Sequence, residues 1–351
     1  MNLILREATS ADSAAILGLL EMTAAKGNIQ LVYTRRPDPY ASFLRETPAA
    51  KLLVWTDGGS VVAMGALLTR DFYVDGAICR GTYLTGLKKH PGVRQRLDLA
   101  DATRALSGTG ADFFFYSVLS DNAGVARAFQ GVKYGSGEVT MSPLGGLTTF
   151  FSTTGGRLLL PPGRESRMCS PTDEPALAEF YGRLGPAAGL FPVGTPWQDN
   201  WGCALSDFCV VTTNGGRIVA AGALWDQTDF RQYLVAKYSP GLQVARLLNP
   251  GLSLLGYPRL PKAHTVIPFP MASFLLSEPG EEAALLTSLS VAARRRGYDQ
   301  WVAGLAHTSA FHAHLARRRH VGFESTLHQV FLGPENTLAC HDISGVQCAY
   351  L

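Results

Sequence analysis

Four basic side chains gather where a predicted strand ends and a predicted helix, over residues 94–107, begins: Lys88, Lys89, Arg94 and Arg96. Backbone N–H groups at a helix N-terminus carry partial positive charge, so such a junction suits a bound phosphate group. A solvated cationic helix start has the same composition and needs no ligand. The pattern therefore indicates either an anion site or an exposed basic surface.

Other side chains with ligand or catalytic chemistry are spaced less favourably. His312 and His314 lie about 200° apart around a helix and cannot share one face. No cysteine or carboxylate stands at ligand spacing among His307, His312, His314 and His320, so the sequence predicts no metal site. The six cysteines form no C-x-x-C pair and are predicted to be buried thiols. Gly-x-Ser-x-Gly, Walker and His-Glu-x-x-His motifs are absent.

Length and composition favour a globular protein of two domains. The chain has 351 residues, of which 46% are hydrophobic and 17% charged, so each half can bury a core. A formal net charge of +3 is far from the basic stripe of a nucleic-acid binder. Two arginine runs, at 294–296 and 317–319, fall at predicted helix C-termini, where cations suit the helix dipole. We therefore expect no nucleic-acid partner.

The N-terminal apolar run, Leu3-Ile4-Leu5, is too short for a signal peptide. No window holds about 18 uninterrupted apolar residues, the length of a membrane-spanning helix. The sequence thus predicts a cytoplasmic protein with no membrane partner.

One order of elements occurs twice along the chain. In each half a strand and a helix precede a hairpin, whose turn is Asp57-Gly58-Gly59 in the first half and Asn214-Gly215-Gly216 in the second. A buried strand then follows a helix, at 113–118 and at 301–305. The repeat predicts an N-terminal domain at 1–152, a linker at 153–164 and a C-terminal domain at 165–335. The tail, 336–351, has no periodicity and either packs as a tail or crosses to the other half.

This order of elements resembles the GNAT (N-acetyltransferase) superfamily in a tandem form. The resemblance implies an α/β fold in which each of two GNAT-like domains has a sheet flanked by helices. In GNAT enzymes a central strand runs into an Arg/Gln-x-x-Gly-x-Gly/Ala loop, whose backbone N–H groups hold the pyrophosphate of acyl-CoA. The matching stretch here is Leu87-Lys88-Lys89-His90-Pro91-Gly92-Val93-Arg94-Gln95-Arg96-Leu97-Asp98-Leu99.

The match is degenerate, because the glycines expected near Gln95, Leu97 and Leu99 are replaced and Asp98 brings a carboxylate into the loop. The resemblance still implies acetyl-CoA or another acyl-CoA as co-substrate, bound in the N-terminal domain. The residues it assigns to the cofactor are Leu87, Lys88, Lys89, Arg94, Gln95, Arg96, Leu97 and Asn122.

A second family mark, Asn-x-x-Ala-x-x-x-Tyr, supplies a tyrosine that protonates the leaving thiolate. Here Asn122 starts the segment and Phe129, which has no hydroxyl, stands where the tyrosine would be. Asn122 also fits a plain helix N-cap. No catalytic residue is assigned, and Glu138, Asp112 and Asp121 remain candidate bases without a spacing argument to choose among them.

The second half departs further from the family. Its stretch Ser277-Glu278-Pro279-Gly280-Glu281-Glu282 carries three carboxylates that would repel pyrophosphate, and Arg318 takes the tyrosine position. We therefore expect the second domain to be a structural partner or a wall of the acceptor site. The loops at 28–40 and 189–197 are the segments expected to border the acceptor.

Three functions follow from the resemblance. The first is an acyl-CoA-dependent N-acyltransferase acting on a small-molecule or peptide amine, with backbone N–H groups at 87–89 stabilising the oxyanion. The second is a non-catalytic tandem protein that binds a ligand or another protein in the same cleft. The third is a transferase whose acyl donor is an acidic carrier protein.

Overall fold

The computed structural model describes residues 3–22, 24, 28–97, 99–119, 133–134, 137–155, 160–195, 197–198, 202–254, 259–318, 320–333 and 338–351. Its strands are β1 (Ile4–Glu7), β2 (Ile29–Thr34), β3 (Lys51–Asp57), β4 (Ser60–Val74), β5 (Ala77–Lys89), β6 (Phe113–Leu119), β7 (Lys133–Tyr134), β8 (Gly137–Thr153), β9 (Arg164–Met168), β10 (Phe191–Pro192), β11 (Phe208–Thr213), β12 (Ile218–Trp225), β13 (Gln232–Tyr238), β14 (Met271–Ser277), β15 (Gln300–Ala306) and β16 (His320–Leu332). Its helices are α1 (Ser13–Glu21), α2 (Pro39–Glu46), α3 (Ala100–Ser107), α4 (Glu174–Leu184), α5 (Pro240–Leu254), α6 (Glu282–Arg295) and α7 (His312–Ala316).

The two halves begin with the same local arrangement. Asp12 accepts hydrogen bonds from the Arg6 guanidinium at 2.7 Å and from the backbone N–H of Thr9 at 2.8 Å. Asp173 accepts in the same way from Arg167 at 2.5 Å and from the N–H of Ser170 at 2.8 Å. In both cases the guanidinium lowers the pKa of the carboxyl group. Each aspartate thus fixes the entry into the first helix of its half.

Both hairpins predicted from the sequence are present. β3 pairs with β4, and β11 with β12, each antiparallel across its glycine turn. Gly58, Gly59 and Gly216 have φ of 55°, 88° and 79°, a left-handed region that glycine adopts without a steric penalty. The turn chemistry alone was therefore enough to locate these hairpins.

The final strands of the two halves are exchanged. β8 of the first half pairs with β15 of the second, while β16 of the second half pairs with β6 of the first. β8 and β16 also pair with each other from Val139 to Ser152, which joins the halves into one sheet of 14 described strands. A separate two-stranded sheet, β2 with β13, again takes one strand from each half.

In the described ranges, hydrophobic side chains form three clusters around the sheet. One lies beneath α3 and contains Leu53, Trp55 and Leu106. A second packs α6 against the strands of the second half, with Leu285 and Trp301 among its members. The largest fills the face shared by both halves. In the part of the chain that the structure describes, no helix combines the length and hydropathy needed to cross a membrane.

Three expectations about local structure were wrong. The helix expected from Arg94 begins at Ala100, because Leu99 is the first side chain of this stretch that is buried, whereas Arg94 and Arg96 are exposed. The loop expected at 28–40 contains β2, which requires its distant partner β13. The helix predicted to end at the arginine run 317–319 is α7, which spans only His312–Ala316.

Candidate active site

The central strands of the first half separate after a short paired stretch. β5 and β6 run parallel and pair from Gly81–Phe113 to Leu84–Tyr116, and no pairing follows. On its other edge β6 pairs with β16 from Phe114 to Leu119, so β6 stays in the sheet where its pairing with β5 ends. The separation leaves a V-shaped gap in the sheet, which we call the first splay.

A β-bulge lies at the mouth of the first splay. On β4, Ala66 opposes Thr85 and Met64 opposes Lys88, so β5 has one extra residue opposite Gly65. Gly86 takes a φ of 65°, which accommodates the bulge. A bulge interrupts the ladder and re-aims the backbone of the strand that carries it. Backbone polar groups of β5 therefore border the gap.

A cavity of about 420 Å³ occupies the first splay. On the α3 face its walls include Leu53, Trp55, Leu67, Leu99 and Leu106, members of the cluster beneath α3. On the opposite face, side chains that belong to or pack against the shared core complete it, namely Tyr33, Tyr83, Tyr233 and Cys348. The cavity thus lies between two strands and has walls on both faces of the sheet.

The structure brings only some of the sequence-predicted cofactor residues to this cavity. Leu87 and Lys88 line it, and burial lowers the pKa of Lys88. Lys89 Nζ donates to the backbone oxygen of Gln95 at 3.2 Å, which folds the loop back onto the end of β5. Of the other predicted residues, Arg94, Gln95 and Arg96 are exposed on that loop, Leu97 is half-buried, and Asn122 lies outside the described residues.

The candidate bases do not gather at the cavity. Asp112 lies at the closed end of the β5–β6 pairing, where its carboxylate accepts from the backbone N–H of Arg80 at 2.7 Å. Glu138 is exposed, and Asp121 is outside the described part of the chain. Among the described residues that line the cavity, none carries a carboxylate side chain.

Hydroxyl groups face the cavity instead. The Tyr83 hydroxyl and Ser117 Oγ lie 2.6 Å apart, and both residues line the wall. Burial raises the pKa of Tyr83, and it raises the pKa of Tyr233 to about 12. At neutral pH these tyrosines are therefore uncharged groups that can donate hydrogen bonds.

A buried charge cluster that the sequence did not reveal lies against the cavity. The carboxylate of Glu46 contacts Arg35 Nη2 at 2.8 Å and also Arg231, which lines the cavity. Arg70 donates to the backbone oxygen of Glu46 at 2.6 Å. Burial raises the pKa of Glu46, but Arg231, Arg35 and Arg70 outweigh it and bring the pKa to about 2. A buried carboxylate is thus held ionised among three guanidinium groups.

The acidic stretch of the second half is occupied by ion pairs. Glu278 contacts Arg183 at 2.8 Å and also Arg217, and Glu281 contacts Arg164 at 2.5 Å. The hydrogen bonds of Arg217 and Arg183 lower the pKa of Glu278.

The clustered histidines make hydrogen bonds. Thr148 Oγ1 lies 3.0 Å from Nε2 of both His307 and His312, and 2.9 Å from Glu324 Oε1. Within the described residues, no group of His, Cys, Asp and Glu side chains qualifies as a metal site.

Solved structures share this architecture over nearly the whole chain. Saccharomyces cerevisiae N-myristoyltransferase with bound myristoyl-CoA has a TM-score of 0.57 at 11% identity, covering 99% of this chain and 84% of that one. A GCN5-related N-acetyltransferase from Kribbella flavida has a TM-score of 0.52 at 13% identity, covering 97% and 74%. The chain has the GNAT fold in its two-domain form. A probable N-acyltransferase from Enterococcus faecalis has a TM-score of 0.50 at 7% identity, covering 94% and 72%.

The likeness lies in the GNAT fold and not in the sequence. No protein-family model matches the chain, and no curated protein matches it significantly. At identities of 7–13%, the shared GNAT fold does not determine which reaction the protein catalyses.

Proposed function

We propose that this protein is an acyl-CoA-dependent N-acyltransferase with its reaction site in the first splay. The observation that carries the proposal is the cavity of about 420 Å³ between β5 and β6, which has walls on both faces of the sheet. A thioester reaching the gap from one face is open to an amine from the other. The amine nitrogen attacks the thioester carbonyl, the carbon–sulfur bond breaks, an amide forms, and the amine proton passes to solvent or to the departing thiolate.

The donor approaches from the α3 face. Lys88, Lys89, Arg94 and Arg96 place positive charge at the end of β5 and on the following loop, which suits the phosphates of CoA. The wall beneath α3 is apolar and accommodates an acyl chain. The backbone of β5 at the bulge, over residues 86–88, is the source of N–H groups for the developing oxyanion.

The acceptor approaches from the face shared by both halves. Tyr33, Tyr83, Ser117, Tyr233 and Arg231 line the cavity there and offer hydrogen-bonding groups for a small-molecule or peptide amine. A buried polar wall of this kind binds an acceptor that forms hydrogen bonds with its polar groups and excludes an acceptor that leaves those groups without hydrogen bonds.

A role in binding without catalysis is the second candidate. It is favoured by the absence of a carboxylate side chain among the described lining residues and by the loss of the loop glycines. The same cavity would then hold a ligand without turning it over.

Calorimetric titration with CoA, acetyl-CoA and decanoyl-CoA separates these functions when combined with an amine acceptor screen. Binding at one site per chain together with release of free thiol supports the transferase. Binding without thiol release supports the second candidate. No binding of any of the three at millimolar concentration would remove the acyl-CoA-dependent transferase and leave a binding protein for another ligand.

Reversing the charge at the end of β5 is expected to weaken CoA binding. For the pair of substitutions Lys88→Glu and Lys89→Glu we expect the Kd for CoA to rise at least about tenfold, because charge-assisted contacts to phosphate are lost. The Kd for S-acyl-pantetheine, which lacks the phosphates, should change by less than about twofold.

The matched control is Arg294→Glu together with Arg295→Glu, two exposed positions at the end of α6. Equal weakening by both pairs would show a general charge effect and contradict a CoA site at β5.

A further inference from the structure

The second half contains a splay of the same construction as the first. β14 and β15 run parallel and pair only at Met271–Val302. Ala223 opposes Ser273 and Ala221 opposes Leu276, so β14 has one extra residue opposite Gly222. Phe274 takes a φ of 55°, as Gly86 does at 65°. By this register Leu275 corresponds to Leu87, which is one of the residues that line the first cavity.

This second splay is filled by the protein itself. The end of the tail, residues 346–351, enters it. Ala306 N donates to Val346 O at 3.3 Å, and Leu305 pairs with Gln347 in an antiparallel bridge. The Gln347 side chain then reaches the other strand. Its Oε1 accepts from Leu275 N and its Nε2 donates to Leu275 O, each at 3.0 Å.

Gln347 thus joins the two separated strands, with its backbone on β15 and its amide on β14. The side-chain oxygen accepts from the strand position that corresponds to the edge of the reaction cavity in the first half. Gln347 is buried, at 2% exposure, so an amide group that can both donate and accept is what satisfies the two backbone atoms there.

Beyond Gln347 the tail is held at close contact. A Cβ added at Gly304 would lie 2.3 Å from both Cβ and Sγ of Cys348, so Cys348 rests directly on the backbone of β15. Tyr350 stacks on Phe274 with ring centroids 5.8 Å apart. Gln227 Nε2 donates to Ala349 O at 2.8 Å.

The tail then reaches the first splay. Cys348 and Leu351 line the cavity between β5 and β6, and Arg231 donates to the backbone oxygen of Leu351 at 3.0 Å. One short segment therefore fills the second splay and forms part of the wall of the first.

We propose that Gln347 is a positioning residue for acyl transfer. Its side-chain oxygen accepts from Leu275 N, the counterpart of the Leu87 position where the acyl carbonyl of the donor would lie in the first splay. Gln347 thereby holds the tail in place as the acceptor-side wall of the first splay. The effect of Gln347 on acyl transfer rests on the proposed function, whereas the anchoring of the tail by Gln347 does not. The anchoring also gives the protein one acyl site per chain, since the second splay already holds the tail.

The test compares wild type with Gln347→Ala and Gly304→Ala in the full chain. Gln347→Ala removes the side-chain amide. Gly304→Ala adds a Cβ that clashes with Cys348 and keeps the Gln347 side chain. Gly155→Ala is the control, because an added Cβ there meets nothing within 4 Å. Two quantities are measured: the rate at which iodoacetamide alkylates Cys348, followed by peptide mass spectrometry, and the kinetics of acyl transfer.

We expect iodoacetamide to alkylate Cys348 at least about tenfold faster in both variants, since in wild type this half-buried thiol is held against β15 and burial raises its pKa. We expect kcat to fall about 10- to 100-fold while the Kd for acyl-CoA changes less than twofold, because a misplaced wall costs rate rather than donor binding. Gly155→Ala should match wild type in both. Rescue of Gln347→Ala by a peptide of residues 340–351 would add support.

Unchanged alkylation in Gln347→Ala would overturn the anchoring by Gln347, whatever the result for Gly304→Ala. Faster alkylation with unchanged kcat would overturn its role in the reaction. If wild type transfers no acyl group but the variants still expose Cys348, the proposed function fails and the anchoring stands, so the two failures are distinguishable.

Discussion

Replacing Glu46 by Gln is expected to lower the free energy of unfolding by about 3–5 kcal/mol, because it leaves buried guanidinium groups without their carboxylate. Glu46 and Arg35 are each 1% exposed at the side chain and Arg231 is 4% exposed, so water cannot take over the lost interaction. Arg35 is further fixed by packing 3.7 Å over the Phe43 ring. Equilibrium unfolding in urea, followed by fluorescence, measures the loss.

The effect has a defined pH dependence. The pKa of Glu46 is held at about 2 in the folded protein, against about 4.3 for glutamate in an unfolded chain. A lowered folded pKa means that the stabilisation is complete above about pH 4.3 and is lost as the pH falls toward 2. The stability difference between wild type and Glu46→Gln should therefore be constant near neutral pH and shrink in acid.

Glu21→Gln is the matched control. Glu21 pairs with Arg36 at 2.6 Å, but the two side chains are 26% and 52% exposed. An ion pair in contact with water contributes about 0–1 kcal/mol. Equal destabilisation by the two substitutions would contradict the assignment of Glu46 as the buried centre of charge.

Ala102→Trp is expected to abolish detectable acyl-CoA binding and to lower acyl transfer at least about 100-fold, because an indole placed in the cavity would occupy the position proposed for the donor. Ala102 lies on α3 and lines the cavity, whose volume of about 420 Å³ is large enough to hold the tryptophan side chain. The melting temperature should stay within a few degrees of wild type. Titration with acyl-CoA and a thiol-release assay measure the two effects.

The control on the same helix is Ala105→Trp, since Ala105 packs against the cluster beneath α3 but does not line the cavity. It should bind acyl-CoA as wild type does. Retained binding in Ala102→Trp, with the variant folded, would place the donor elsewhere and remove the proposed route from the α3 face.

Local chemistry determined much of the fold in advance. The glycine turns at Gly58 and Gly216 were sufficient to predict a hairpin in each half, and the apolar runs at 113–118 and 301–305 were sufficient to predict a buried strand in each half. Their information lies within a few residues of chain, which is the range over which turn residues and side-chain periodicity act. The repeated order of these elements led to the GNAT fold, which the solved structures confirm.

The candidate site was predicted only in part. Leu87 and Lys88 line the cavity, because the end of β5 could be located from its own sequence. The start of α3 was placed too early, since charge pattern alone does not reveal that Leu99 is the first buried side chain. The polar side of the cavity was foreseen only in part. The segment 28–40, which contains Tyr33, was expected to border the acceptor, whereas Tyr233 comes from β13, which pairs with β2 across the two halves.

Tertiary structure alone decided how the halves combine. Arg231 meets Glu46 across 185 residues of chain, and Gln347 meets Leu275 across 72. Neither partner carries a local pattern that identifies the other, since any buried polar group needs some partner and the sequence does not say which. The sequence by itself thus determined two repeats of one fold, and the long-range pairing of strands, charges and tail determined that one splay is open and the other is filled.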